Sequence, residues 1–206
     1  MKDKQTKKSE LTRQRILMSA ENEFAEGGYH GARVDQIAES AGVNKRMIYA
    51  HFGNKDGLYA EVLLGVYRRL ANCERKFITD DPNPESAIRN IIRISFDFLM
   101  ENPNFVRILM WENLNEGTAI PKEELVKLKL PALSYMQMQI KRGKSLGVFK
   151  EEADEYQVIL SMMNFCFSYF SNLHTMSAIL SRDMRSPEEV RARADFIFDM
   201  IIEYLK

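Results

Sequence analysis

Apolar residues recur three and four positions apart along almost the whole chain, the spacing that lays one stripe along a helix. No hairpin dipeptide joins alternating apolar runs, so strand signals are weak. The pattern predicts helices at about 9–27, 34–41, 45–51, 55–77, 84–101, 104–115, 121–146, 154–180 and 187–205. The first carries Ile16, Leu17, Ala20 and Phe24 on one face and should stop at Gly27-Gly28. Asn83-Pro84, Asn102-Pro103 and Ser186-Pro187 each read as an N-cap followed by proline in the first turn, with Glu189 completing a capping box for Ser186. Pro131 should bend or split its helix, and "SLGVF" at 145–149 reads as a turn. Repeats and low-complexity segments are not evident.

The pattern changes character near residue 55. Before it the helices are short and polar; after it they are long and rich in Met, Phe and Tyr. The expected organisation is all-α: a small module over 1–54, carrying a basic amino-terminal arm, and a larger helical domain over 55–206. A chain of 206 residues suffices for this. Its formal net charge is zero, so attraction to a polyanion must come from local patterning. Lys2, Lys4, Lys7, Lys8, Arg13 and Arg15 face only Asp3 and Glu10 at the start of the chain, which suits either a solvated tail or an arm tracking a nucleic-acid strand. Cys73 and Cys166 lie in apolar patterns and read as reduced core thiols. No apolar run follows the initial charges and none reaches membrane-spanning length, so a cytoplasmic protein with no membrane partner is expected.

One stretch is chemically pointed. "VDQIAESAGVNKRMI", residues 34–48, reads as a short helix, a turn centred on Gly42 and a second short helix. Ala38 is small where two helices cross, Gly42 can take positive φ, and Asn44 is a good N-cap. Ile37, Val43 and Ile48 are spaced to share a miniature core, which leaves Lys45, Arg46 and Met47 at the exposed tip of the second helix. In a helix-turn-helix this tip enters the major groove. There Lys or Arg donates to guanine, and an apolar group can rest on a thymine methyl. Tyr49, His51 and Lys55 follow, with groups suited to phosphate oxygens.

Over residues 10 to 59 the chain resembles the amino-terminal DNA-binding domain of the tetracycline-repressor (TetR) family of bacterial transcription regulators. The resemblance rests on "IAESAGV", "IYAHF" and "NKDGLY". It implies that Tyr49, His51 and Lys55 meet the phosphate backbone and that Lys45, Arg46 and Met47 read bases behind Asn44. Arg33 and Gln36 would touch phosphate or a base edge. The family often has Gly or Pro where Arg46 stands and a small residue where Met47 stands, which leaves the operator sequence open. Asp35 would repel phosphate and is not counted as a contact.

The resemblance also implies a carboxy-terminal domain that dimerises and binds a small effector. Helices 154–180 and 187–205 are apolar on more than one face, so Phe167, Phe170, Phe196, Met200 and Tyr204 are candidate homodimer contacts. Phe96, Trp111, Tyr135 and Met138 are candidate walls of a pocket for an apolar or aromatic ligand, with Asn164 and His174 as polar handles. No cofactor is indicated. His30, His51 and His174 lack metal-ligand spacing, and neither a Gly-rich phosphate loop nor a G-x-S-x-G elbow occurs, so catalysis is not expected. The expected function is a repressor released from a palindromic operator by a small molecule. The alternative is a helix-turn-helix protein whose larger domain binds a protein partner.

Overall fold

A computed structural model describes residues 2–206, with side chains described from residue 6. The side chains of Lys2 and Lys4, counted in the expected basic arm, lie outside the described residues. Among those described there are ten helices and no strand: α1 Lys2–Gly31, α2 Val34–Ala41, α3 Lys45–Phe52, α4 Lys55–Glu74, α5 Pro84–Glu101, α6 Pro103–Leu114, α7 Lys122–Ser145, α8 Glu155–Ser171, α9 Leu173–Leu180 and α10 Pro187–Leu205.

These helices form two compact units. The smaller runs through Arg68 and resumes from Arg107 to Leu125; the larger holds Arg69–Val106 and Val126–Lys206. In the smaller unit Ile16, Ala20 and Phe24 of α1 are fully buried together with Ile37, Ile48, Leu58 and Leu63. The larger unit packs α5 against α8 and α10, and α8 against α10. Its core includes Ile88, Ile92 and Phe96 from α5, Met162 and Cys166 from α8, and Ile197, Ile201 and Leu205 from α10.

Several boundaries depart from the sequence expectation for physical reasons. The first helix begins near the chain start, and Gly28 interrupts it with φ +64 before a last turn to Gly31. A Cβ on Gly28 would lie 2.7 Å from Cδ2 of Trp111, so this glycine both breaks the helix and seats an indole ring. Asn83 caps α5 through the amides of Glu85 and Ser86, as its sequence position implies. Asn102 behaves differently: its side chain reaches back to donate to the Phe98 carbonyl, closing α5 and not opening α6. The Ser186 hydroxyl accepts from the Glu189 amide, but the Glu189 carboxylate pairs with Arg182 and does not complete the box. Pro131 leaves α7 as one helix. The single helix expected at 154–180 is two, divided at Asn172.

Candidate DNA interface and ligand-binding residues

The turn between α2 and α3 is built by backbone hydrogen bonds and one side-chain cap. Gly42 sits at φ +63, a left-handed conformation in which glycine meets no Cβ penalty. Its amide donates to the Glu39 carbonyl, and the Val43 amide donates to that of Ala38, each at 3.0 Å. Oδ1 of Asn44 then accepts the Met47 amide at 2.9 Å, satisfying one of the open donors at the start of α3. At the other end of α2, the Arg33 amide donates to the Glu23 carboxylate at 2.9 Å, which ties the helix entry back to α1. Nothing in the local sequence pattern pointed to Glu23, well upstream in α1.

Ile48 and Phe52, one turn apart, anchor the inner face of α3. The opposite face therefore presents Lys45, Arg46 and Tyr49 to solvent, with Asn44 at its head; Met47 and His51 lie half-buried at its margins. Arg33 and Gln36 are exposed at the start of α2. The candidate reading and anchoring residues of α2 and α3 thus share one unit, with the core side chains turned away from them.

Two cations are committed differently than their sequence positions suggest. The Lys45 ammonium lies 3.0 Å from the Asp35 carboxylate, whose hydrogen bond raises its pKa above the usual lysine value. Asp35 therefore steadies a tip residue. The pair is water-exposed and readily exchanged for another anion. Lys55 turns inward: Nζ donates to the Ala32 carbonyl at 2.7 Å and stands 4.9 Å from the centre of the Tyr29 ring. Its ammonium braces the turn between α1 and α2, where a backbone carbonyl and an aromatic face lie within its reach.

The start of α4 explains "NKDGLY". Oδ1 of Asn54 accepts the Gly57 amide at 2.8 Å, capping the helix. A Cβ at Gly57 would stand 2.2 Å from the Phe52 carbonyl oxygen, so only glycine fits this close approach. Leu58 and Tyr59 follow into the core, where Tyr59 meets Phe24 with ring centres 4.9 Å apart.

The residues expected to line an effector pocket belong to both units. Trp111 belongs to the smaller unit, against Gly28. In the larger unit Phe96 is buried against Tyr169 and Phe170, and Tyr135 is buried with its ring stacked on Phe77. Met138 is half exposed. Asn164 is exposed because α8 buries Val158, Met162, Cys166 and Tyr169, and a residue two places after Met162 points the other way. His174 is exposed with Nε2 3.5 Å from an Arg185 nitrogen, since α9 buries only Leu173. A polar group not singled out in the sequence stands out instead. Gln139 is 1% exposed, one turn beyond Tyr135 on the buried face of α7, and neither atom of its amide has a hydrogen-bond partner. Buried Glu74 pairs with Lys129, and burial, offset by that lysine, raises its pKa. Residues this polar give no hydrophobic signal, so periodicity alone passes over them.

Phe196, Met200 and Tyr204, spaced one helical turn apart on α10, are exposed at 58%, 37% and 45%. Phe167 and Phe170 are half-buried on α8, and Tyr156, Leu160 and Met163 add exposed apolar surface to that helix. Cys73 and Cys166 are free. Among the described residues no group of His, Cys, Asp and Glu could hold a metal ion, and no helix is long and apolar enough to cross a membrane.

Comparison with known proteins places this geometry. Residues 16–62 match the model described as bacterial regulatory proteins, tetR family, and residues 84–201 match that of the tetracyclin repressor-like C-terminal domain. The HTH-type transcriptional repressor NicS of Pseudomonas putida is 31% identical over 199 residues, covering 96% of this chain and 94% of that protein. The HTH-type transcriptional repressor SCO4008 of Streptomyces coelicolor is 36% identical over 115 residues, 55% of this chain and 56% of that one. Among solved structures, the TetR family regulator PfmR from Thermus thermophilus shares the fold at a TM-score of 0.69 and 23% identity, covering 93% of this chain and 99% of its own. FadR from Bacillus subtilis, in complex with stearoyl-CoA, does so at 0.71 and 16% identity, covering 94% and 100%. The chain belongs to the TetR family of bacterial regulatory proteins: it is a DNA-binding transcriptional regulator, not an enzyme.

Proposed function

We propose that the protein acts as a homodimer that reads a palindromic operator in double-stranded DNA with α3 and leaves it when a small apolar or aromatic effector binds the larger unit. The observation that carries this reading is the exposed face of α3, with Lys45, Arg46 and Tyr49 outward and Ile48 and Phe52 holding the helix from behind. Arg46 and Lys45 are assigned to base edges, with Met47 packing beside them. Arg33, Gln36, Asn44, Tyr49 and His51 are assigned to positioning on phosphate and sugar. Lys55 is assigned to bracing α1 and Tyr29 behind that face.

Two half-sites one DNA turn apart, about 34 Å, require two copies of α3 at that spacing. The exposed apolar stripe of Phe196, Met200 and Tyr204, with Phe167 and Phe170 of α8, supports pairing through α8 and α10. For the effector, Phe96, Tyr135 and the unpartnered amide of Gln139 are the favoured contacts. The proposed coupling runs through α4, which begins at Lys55 and continues beyond Arg68 into the larger unit. An effector releases DNA only if it binds the released conformation more tightly than the bound one.

The test is selection of bound fragments from random duplex DNA at two salt concentrations, with wild type and Arg46→Ala. A palindrome whose preference shifts at one position of each half-site in the variant is the expected result. Equal weakening on every sequence would remove Arg46 from base reading.

A further inference from the structure

The starts of α2 and α3 are tied to each other by one ion pair. Asp35 stands in the first turn of α2, and Lys45 opens α3. Nζ of Lys45 lies 3.0 Å from Oδ1 of Asp35 and 3.1 Å from Oδ2, so the ammonium sits astride the carboxylate. The frame behind the pair is fixed by the buried Val34, Ile37 and Ala41 of α2 and Ile48 of α3. The pair itself is open to solvent, with the Lys45 side chain 44% exposed and that of Asp35 67%. Arg46, exposed next to Lys45, has no ion pair among the described residues.

Two adjacent cations at the tip thus carry different electrostatic weights. Arg46 faces solvent with its full charge. Lys45 is neutralised by a carboxylate that is itself favoured at the positive end of α2. Helix α3 has no acidic residue in its own first turn, so this carboxylate is supplied by the neighbouring helix. DNA meets such a pair in two ways. A phosphate is an anion and competes with Asp35 for the same charge. Moving Lys45 onto it exchanges one anion for another and leaves a bare carboxylate facing the polyanion. A base edge is neutral and does not compete. An ammonium has three donors, so one can stay on Asp35 while another reaches guanine O6 or N7. The pair penalises contacts that are blind to sequence and spares those that read it.

We propose that Asp35 is a specificity-determining residue: by holding Lys45 it keeps that ammonium off the phosphate backbone and available to a base edge. The inference rests on the assignment of α3 to base reading made above. The charge of Asp35, a defect if that residue met phosphate alone, becomes the reason that non-operator DNA is bound weakly.

The test is fluorescence polarisation of the full chain with a labelled mixed-sequence duplex across a salt series, beside selection of bound fragments from random duplex DNA. Asp35→Asn, close in shape and uncharged, should bind the mixed duplex about three- to tenfold tighter. Its plot of log affinity against log salt should steepen by about one phosphate for each α3 engaged. A gain in affinity cannot come from a damaged fold, and Asp35→Ser, a second neutral variant, should give the same sign. The steepening should vanish when Lys45→Gln is added to Asp35→Asn, because Lys45 is the charge set free. In selection, Asp35→Asn should return a less sharply enriched site than wild type. An unchanged or shallower slope in both Asp35 variants, a steepening that persists without Lys45, or unaltered enrichment of the recovered site would overturn the proposal. Failure of the operator reading looks different: wild type would then yield no palindrome, whatever the Asp35 variants do on the mixed duplex.

Discussion

Gly57→Ala sets two physical effects against each other. In an ordinary helix interior the change should stabilise by about 1 kcal/mol, because alanine loses less backbone freedom than glycine on folding. Here the new methyl would stand 2.2 Å from the Phe52 carbonyl oxygen, a backbone atom that cannot swing aside. Reaching a tolerable contact requires the two to part by roughly 1 Å. That oxygen accepts the Asn54 amide at 2.9 Å, and Asn54 in turn caps Gly57 at 2.8 Å, so separation weakens both bonds. Two weakened bonds at about 1 kcal/mol each, with overpacking of about 1–2 kcal/mol, outweigh the propensity gain and leave a net loss of about 2 kcal/mol. For a chain of this length that lowers Tm by about 4–8 °C. The assay is thermal unfolding by far-UV circular dichroism at fixed protomer concentration, since the proposed dimerisation would make Tm concentration-dependent. Gly65→Ala is the internal control: it lies in the same helix with nothing within 4 Å of an added Cβ, and should raise Tm by about 2–3 °C. If Gly57→Ala rose alongside it, the close approach of α4 to the end of α3 would be refuted.

Asn44→Ala removes the cap on α3 and should cost about 1 kcal/mol, read as a lower urea midpoint at unchanged slope; an unmoved midpoint would mean the cap is replaced by water. Lys55→Gln should destabilise by about 1–2 kcal/mol through loss of the Ala32 bond and the Tyr29 contact. The salt dependence of DNA binding should stay as in wild type, and a flatter slope would put Lys55 on a phosphate. Burial pushes the Cys166 thiol up to about 12 from an ordinary 9, so the folded chain keeps a proton that the unfolded chain releases. Stability should therefore fall as pH rises from 9 towards 12, and less steeply in Cys166→Ala; parallel curves would mean the thiol is not shielded.

The recognition module was legible because its signals are local. Gly42, Asn44 and the spacing of Ile37 and Ile48 act within a short span of chain, and each does in the structure what its chemistry requires. The dispositions of Lys45 and Lys55 were not legible, since a free lysine and one bound to a carboxylate or a carbonyl look alike in sequence. The residues proposed to meet an effector posed the opposite problem. Large apolar side chains such as Phe96 and Tyr135 belong to any core, while Gln139 carries no apolar signal and is conspicuous only once its burial is known. Trp111 is the sharpest case: its seat is Gly28, far back along the chain, and no periodicity links the two.

That seat has a consequence for how the protein can be recombined. The compact unit that carries α3 is discontinuous, drawing on the chain both before Arg68 and between Arg107 and Leu125. A chimera made with one crossover after α4 would take Gly28 from one parent and residue 111 from the other, and any parental pair lacking the ring-and-glycine match would leave a void or a clash. Transplanting a new DNA specificity intact therefore calls for two exchanged segments, and grafts limited to the first quarter of the chain should succeed only between parents that already share this contact.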